Sequence, residues 1–257
     1  MMSTYRNSDK NRDKAGTAVM DEIDHFAGLA AQWWDSNGAL SSLHKINPLR
    51  MQYIRNQICH HFGRSITDIK PASQLSILDV GCGGGLICEP LARLGANVTG
   101  IDAVGESIEI AISHAHMMSL DINYKTLLPE ELAASGKMYD VLINMEVIEH
   151  IVDIEIFVNA CAKLIKPGGL MVGSTINRSI KSLALAKVGA EYILRWVPIG
   201  THDWRKFVKP SEFCYHMRSN GLDVEDITGM KLNIIEDDWQ FSQDLNINYL
   251  ITAKKPK

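Results

Sequence analysis

The sequence predicts an α/β protein built on one mainly parallel sheet with helices on both faces. Three observations carry that expectation. From Ser76 onward, short apolar runs alternate with helix-length segments. The first of these runs, Ile77-Leu78-Asp79-Val80, ends in the glycine cluster Gly81-Cys82-Gly83-Gly84-Gly85. The chain has 257 residues with 46% hydrophobic content, enough to bury a substantial core in one domain.

Residues 1–20 are polar, mixed in charge and without an apolar secretion segment, so a disordered tail is expected. Residues 21–257 read as a single domain, opening with an N-terminal helical cap at 21–70. In the cap, residues 21–34 are helical in character and the turn Ser36-Asn37-Gly38 closes them. Asn47-Pro48 then reads as an N-cap followed by proline at the first helical position, with Leu49, Tyr53, Ile54 and Ile58 at helical spacing. The core at 76–178 places strands at 77–80, 98–101, 123–126, 141–143 and 170–174, and helices near 86–95, 105–118 and 153–165. Lys166-Pro167-Gly168-Gly169 is the turn that delivers the fifth strand. An insertion occupies 179–205, and 206–257 supplies two late strands at 222–227 and 247–253, making seven.

A net charge of −4 and a pI near 6.1 argue against a nucleic-acid partner. The five cysteines include no C-x-x-C pair, which suits reduced thiols in a cytoplasmic protein; Cys82 reads as a small spacer rather than a nucleophile. No apolar run approaches the ~20 residues that span a bilayer.

Function is written first in the glycine cluster. Glycine there permits a left-handed turn and close approach of a ligand to the backbone. Asp102, at the end of the next strand, is placed to accept hydrogen bonds from a ribose diol. Together they indicate a nucleoside-containing cofactor. Gly81 and Gly83 fit the dinucleotide pattern G-x-G-x-x-G, but Leu86 fills its third slot, and no Lys-Ser/Thr follows for a triphosphate. The run instead resembles motif I of the class I S-adenosylmethionine-dependent methyltransferases. That resemblance implies a Rossmann-like fold and S-adenosyl-L-methionine as cofactor.

The resemblance sharpens in His44-Lys45-Ile46-Asn47-Pro48-Leu49-Arg50, Met145-Glu146-Val147-Ile148-Glu149-His150, Gly189-Ala190-Glu191-Tyr192-Ile193-Leu194 and Gly200-Thr201-His202-Asp203-Trp204. These segments are similar to those of the UbiG-type O-methyltransferases of ubiquinone biosynthesis, over about residues 21–253. The family implies methylation of 2-polyprenyl-6-hydroxyphenol and 3-demethylubiquinol. It also implies a last strand inserted antiparallel between the fifth and sixth, and cofactor contacts at Arg50, Gly81, Asp102 and Met145. Arg50 suits the methionine carboxylate, and Met145 suits the adenine or the sulfonium. Leu127-Leu128-Pro129 carries no acidic side chain for adenine, unlike many class I members.

Glu146, Glu149 and His150 lie just past the fourth strand, at the carboxyl edge where ligands bind. At i, i+3 and i+4 they would share one face if this segment is helical. The family implies magnesium on these three residues, although imidazole is commoner with zinc, manganese or iron. A metal-free alternative makes His150 a general base, and a third reading leaves the glutamates as helix-terminal charges. His202 and Asp203 offer a second polar contact to substrate. The insertion at 180–197 reads as an amphipathic helix that is either a lid or a peripheral contact with membrane lipid at the inner face of the membrane. Other quinone-biosynthesis enzymes are candidate partners. Rival functions are methylation of a different small acceptor and a non-catalytic cofactor-binding scaffold. A nucleic-acid methyltransferase fits least, since Asn144-Met145-Glu146 is not a Pro-Pro-Tyr type motif.

Overall fold

A computed structural model describes residues 16–183, 204–233 and 236–257. Most of the expected tail, the bulk of the 180–197 helix, and both His202 and Asp203 lie outside the described residues.

The sheet holds eight strands: β1 Ser76–Val80, β2 Asn97–Asp102, β3 Asn123–Thr126, β4 Tyr139–Met145, β5 Ile165–Ile176, β6 Asp223–Asn233, β7 Asp238–Ser242 and β8 Asn248–Lys254. Their spatial order is β3-β2-β1-β4-β5-β8-β6-β7. The first five pair in parallel, and β8 runs antiparallel to both β5 and β6. The antiparallel strand inserted between the fifth and sixth is therefore present, and the seven-stranded plan gains an edge strand, β7, paired antiparallel to β6.

Strand residues alternate between two cores because successive side chains leave a strand on opposite faces. Ile77, Val141, Ile143 and Val172 bury on one face with Tyr53, Ile54, Leu91 and Ala111. Leu78, Leu142, Met171 and Ile251 bury on the other with Phe157, Val158 and Phe213. Helices α1 Met20–Leu29, α2 Ser41–His61, α3 Cys88–Arg93, α4 Gly105–Met117, α5 Pro129–Ala134, α6 Ile154–Lys163 and α7 Pro210–Ser219 supply the covering layers. At the start of α6, the Asp153 carboxylate accepts the Ile156 N–H at 3.0 Å, a side-chain cap that fixes where the helix begins.

Several boundaries differ from the sequence reading, each for a local reason. α2 begins at Ser41, so Pro48 sits inside the helix and not at its start. Asn47 does not cap; its amide donates to the Leu86 carbonyl at 2.9 Å and ties α2 to the end of the glycine loop. The helix after that loop is only six residues, because Gly81–Gly85 and Leu86 are spent in turns. Lys166-Pro167-Gly168-Gly169 belongs to β5 as a bulge, with the register jumping between Tyr139↔Ile165 and Val141↔Leu170 and Gly168 at φ 77°. A buried network fixes α2 to the sheet. Tyr53 donates to Asp226 at 2.6 Å and accepts from Thr252 at 2.9 Å, while Thr228 donates to Asp226 at 2.8 Å. All five cysteines are buried and unpaired, and none of the described helices is long and apolar enough to cross a membrane.

Candidate active site

The glycine loop leaves β1 at the carboxyl edge of the sheet, beside the ends of β2 and β4. Gly81 (φ 73°) and Gly83 (φ 50°) need left-handed backbone, and a Cβ on either would sit 2.3 Å from Val147 or 2.2 Å from Trp33. Asp102 closes the loop from the next strand. Its Oδ2 accepts the Gly83 N–H and its Oδ1 the Val104 N–H, both at 2.8 Å. Burial raises the Asp102 pKa against these backbone donors. Beneath the loop, Asp79 is pushed up to about 7 by burial, with the Asp102 charge adding to this and the Cys88 thiol hydrogen bond opposing it.

The cap covers this loop. Trp33 lies over Gly83 and Gly84 and donates its indole N–H to Ser107 at 3.0 Å. Trp34 donates to the Gly84 carbonyl at 3.0 Å and stacks on His114 with ring centroids 3.5 Å apart. Between cap and sheet lies a cavity of about 350 Å³. Arg50, Gly81, Asp102, Met145, Glu146, Glu149 and His150 all line it; Gly83 does not, and acts through its hydrogen bond to Asp102.

The acidic pair and the histidine do not converge as their spacing suggested. Glu146 is at φ 54°, a left-handed conformation that costs a non-glycine residue energy, and helical structure resumes only in the single turn Ile148–His150. There is no shared helical face. Glu146 instead accepts from Ser174 Oγ at 2.6 Å and pairs with Arg50 Nη2 at 3.1 Å. Glu149 accepts from Thr175 at 2.8 Å and leaves Oε1 buried without a partner. His150 Nδ1 meets Glu22 at 3.2 Å. Among the described residues no group of three His, Cys, Asp or Glu side chains is gathered to hold a metal ion. The three side chains that the family resemblance assigns to magnesium line one cavity, each with its own protein partner, and Glu149 Oε1 is left without one.

Charges in the cavity are strongly perturbed, as is common where chemistry occurs. Glu149 is pushed up to about 8 by burial and by Glu146, with His150 opposing. Burial alone would lower the His150 pKa, but the Glu22 hydrogen bond and the Glu149 charge outweigh it and the net direction is up. Glu22 is lowered to about 2, chiefly by His150 and with help from Lys206, against its own burial. Arg50 is buried, with Nε lacking a partner.

A family profile described as "Methyltransferase domain" matches residues 51–227. The ubiquinone biosynthesis O-methyltransferase of Bartonella quintana is 48% identical over 240 residues, 93% of this chain and 97% of that one. The protein of the same name from Sinorhizobium medicae is 44% identical over 93% of this chain and 97% of its own length. The chain belongs to this family. As a ubiquinone biosynthesis O-methyltransferase it shares its fold with more distant methyltransferases of known structure. Magnesium protoporphyrin IX methyltransferase from Synechocystis PCC 6803, solved with bound SAH, superposes with a TM-score of 0.65 at 18% identity, covering 92% of this chain and 99% of that one. The plantazolicin methyltransferase BpumL, in complex with SAH and a desmethyl plantazolicin analogue, gives 0.58 at 18% identity, covering 93% and 99%.

Within this methyltransferase the sequence reading missed Glu22, Trp33 and Asp79, all of which line the cavity. Asp79 was visible as the acidic position of motif I. Glu22 sits on α1 and Trp33 in the turn that follows the cap's first helices, neither within a motif, and only their tertiary contacts distinguish them.

Proposed function

We propose that this chain methylates a phenolic hydroxyl on a polyprenylated ring in ubiquinone biosynthesis, with 2-polyprenyl-6-hydroxyphenol and 3-demethylubiquinol as acceptors. S-adenosyl-L-methionine, when bound, supplies an electrophilic methyl group on a sulfonium. One observation carries the reading: the glycine loop and Asp102 line the same cavity as Met145, Glu149 and His150. Asp102 holds the ribose hydroxyls, and the backbone at Gly81 allows close approach of the nucleoside. Arg50 pairs with the methionine carboxylate through the side of its guanidinium that has no protein partner.

The acceptor oxygen must be deprotonated to attack. A phenol of pKa near 10 is about one part in a thousand ionised at pH 7, a deficit of roughly 4 kcal/mol. His150 faces the cavity and takes that proton as general base. The oxygen then forms its bond to the methyl carbon in line with the departing sulfur, which keeps the electron pair of the broken bond. Apolar walls from Phe26, Leu29 and Ile176 exclude water and suit a hydrocarbon substituent. An acceptor bearing a prenyl tail resides in a bilayer, which supports a cytoplasmic protein in peripheral contact with membrane lipid.

Purified protein, labelled cofactor and a short-chain prenyl catechol test this, with and without EDTA. Labelled ether that forms equally in both is the expected result. Activity lost to EDTA and restored by magnesium would replace His150 with a metal-assisted route, and no product at all from a folded, cofactor-binding protein would favour a scaffold.

A further inference from the structure

The cavity extends well past the glycine loop and Met145. Ile176 at the end of β5, Asn248 at the start of β8 and Trp239 on β7 also line it. Residues directly opposite one another in neighbouring strands share a face. The register sets Ile176 opposite Asn248, Asn248 opposite Met230, and Trp239 opposite Leu232. Met230 and Trp239 pack in the same core as Tyr53 and Ile54 of α2, so the whole row lies on the α2 side of the sheet. Ser174, two residues before Ile176, lies on that side too, where it holds Glu146. The cavity thus runs along one face from the cofactor loop, across the ends of β4, β5 and β8, to β7. Its far half carries none of the glycine-loop contacts.

Two polar groups in that far half lack protein partners. The half-buried Asn248 carboxamide makes no hydrogen bond to any described residue, and the indole N–H of Trp239 is buried without a partner. Neither position is slack. Asn177 pins the approach to β8, donating its backbone N–H to the Ile247 carbonyl at 2.6 Å and its amide to the Leu245 carbonyl at 2.8 Å. Lys45 of α2 pairs with Asp237 at 2.7 Å, two residues before Trp239. Fixed backbone carrying a few uncommitted polar groups in an apolar wall is what ligand recognition needs. Both residues also lie beyond the stretch 51–227 that the general methyltransferase profile describes.

We propose that Asn248 is a specificity-determining residue for the acceptor: its carboxamide holds the ring oxygen adjacent to the one that is methylated, and Trp239 closes the wall behind it. This rests on the reading of the acceptor as a prenylated phenol, and it is independent of how the reacting hydroxyl loses its proton. Both acceptors named above carry a hydroxyl at that adjacent position. A carboxamide offers an acceptor oxygen and N–H donors, which matches a hydroxyl that both donates and accepts. Ile176 and Met230 flank Asn248 across the ladder, so an acceptor without that hydroxyl leaves the amide unpaired among apolar neighbours.

The test uses protein loaded with S-adenosylhomocysteine, magnesium in every buffer, and two probes. One is a short-chain prenyl catechol; the other is the matching prenyl phenol, which keeps the reacting hydroxyl and lacks its neighbour. Calorimetry gives the affinities and labelled methyl transfer gives kcat/KM, with the melting temperature as folding control. Asn248→Ala should weaken the catechol about tenfold and leave the phenol within about twofold, so that the preference of wild type for the catechol collapses. Asn248→Leu, which keeps the volume, should do the same and stands in if the alanine variant fails to fold. Trp239→Ala should weaken both probes alike by about tenfold, with most of that recovered in Trp239→Phe because the wall needs a ring there. Equal losses for the two probes in the Asn248 variants, an unchanged catechol preference, or a loss confined to cofactor affinity would overturn the proposal. Failure of both probes to bind loaded wild type would overturn the prenyl-phenol reading itself, a result that no Asn248 or Trp239 variant can produce.

Discussion

Asp79 shows how one buried side chain can govern the pH response of the molecule. Burial raises its pKa from an ordinary 3.8 to about 7, with Asp102 adding to the effect and Cys88 opposing it. The folded state therefore binds a proton more tightly than the unfolded chain. Its contribution to stability is complete below about pH 4 and is lost as pH rises through about 7. Asp79→Asn removes that dependence. Between pH 5 and pH 8 the melting temperature of wild type should fall relative to the variant, and parallel melting curves across that range would contradict the assignment. Legibility at this scale followed sequence distance. Gly81, Gly83 and Asp102 could be read because a turn and the following strand end impose a fixed spacing. Glu22 could not, since it meets His150 across 128 positions of chain. The shared face of Glu146, Glu149 and His150 depended on a helix running through all three, and the left-handed Glu146 interrupts it.

At the scale of elements, apolar alternation marked the five parallel strands well, because strands buried on both faces read as short continuous hydrophobic runs. The edge strand β7 was harder to see. Its Asp-Trp-Gln-Phe-Ser pattern alternates, but a single half-buried strand carries little signal, and its position depends on Trp239 and Phe241 packing against the α2 side of the core. α2 likewise reads past its proline because tertiary contacts fix its start, Asn47 being occupied at Leu86. The Tyr53 hydroxyl is the polar rivet between that helix and the sheet. Tyr53→Phe leaves Asp226 and Thr252 short of a buried partner and should cost about 1–3 kcal/mol in urea unfolding, with kcat nearly unchanged. A loss below about half a kcal/mol would show that the network contributes packing alone.

For the whole molecule, two cores on opposite faces of one sheet leave the carboxyl edge as the place where loops, cap and cavity meet. The fold class was evident from the sequence because alternation over a hundred residues has few architectural solutions. The union of cap and core was not, because it is made of aromatic contacts without a repeating pattern. That union has a chemical corollary in the five thiols, every one of them shielded. The native protein should resist a bulky disulfide reagent and release all five sulfhydryls only on denaturation. Cys82 stands in the cavity wall behind the tryptophan roof, so the rate at which it is derivatised serves as a stopwatch for how often the roof lifts. Saturation with S-adenosylhomocysteine should slow that clock while leaving the labelling of Cys161, on the far side of the sheet, untouched.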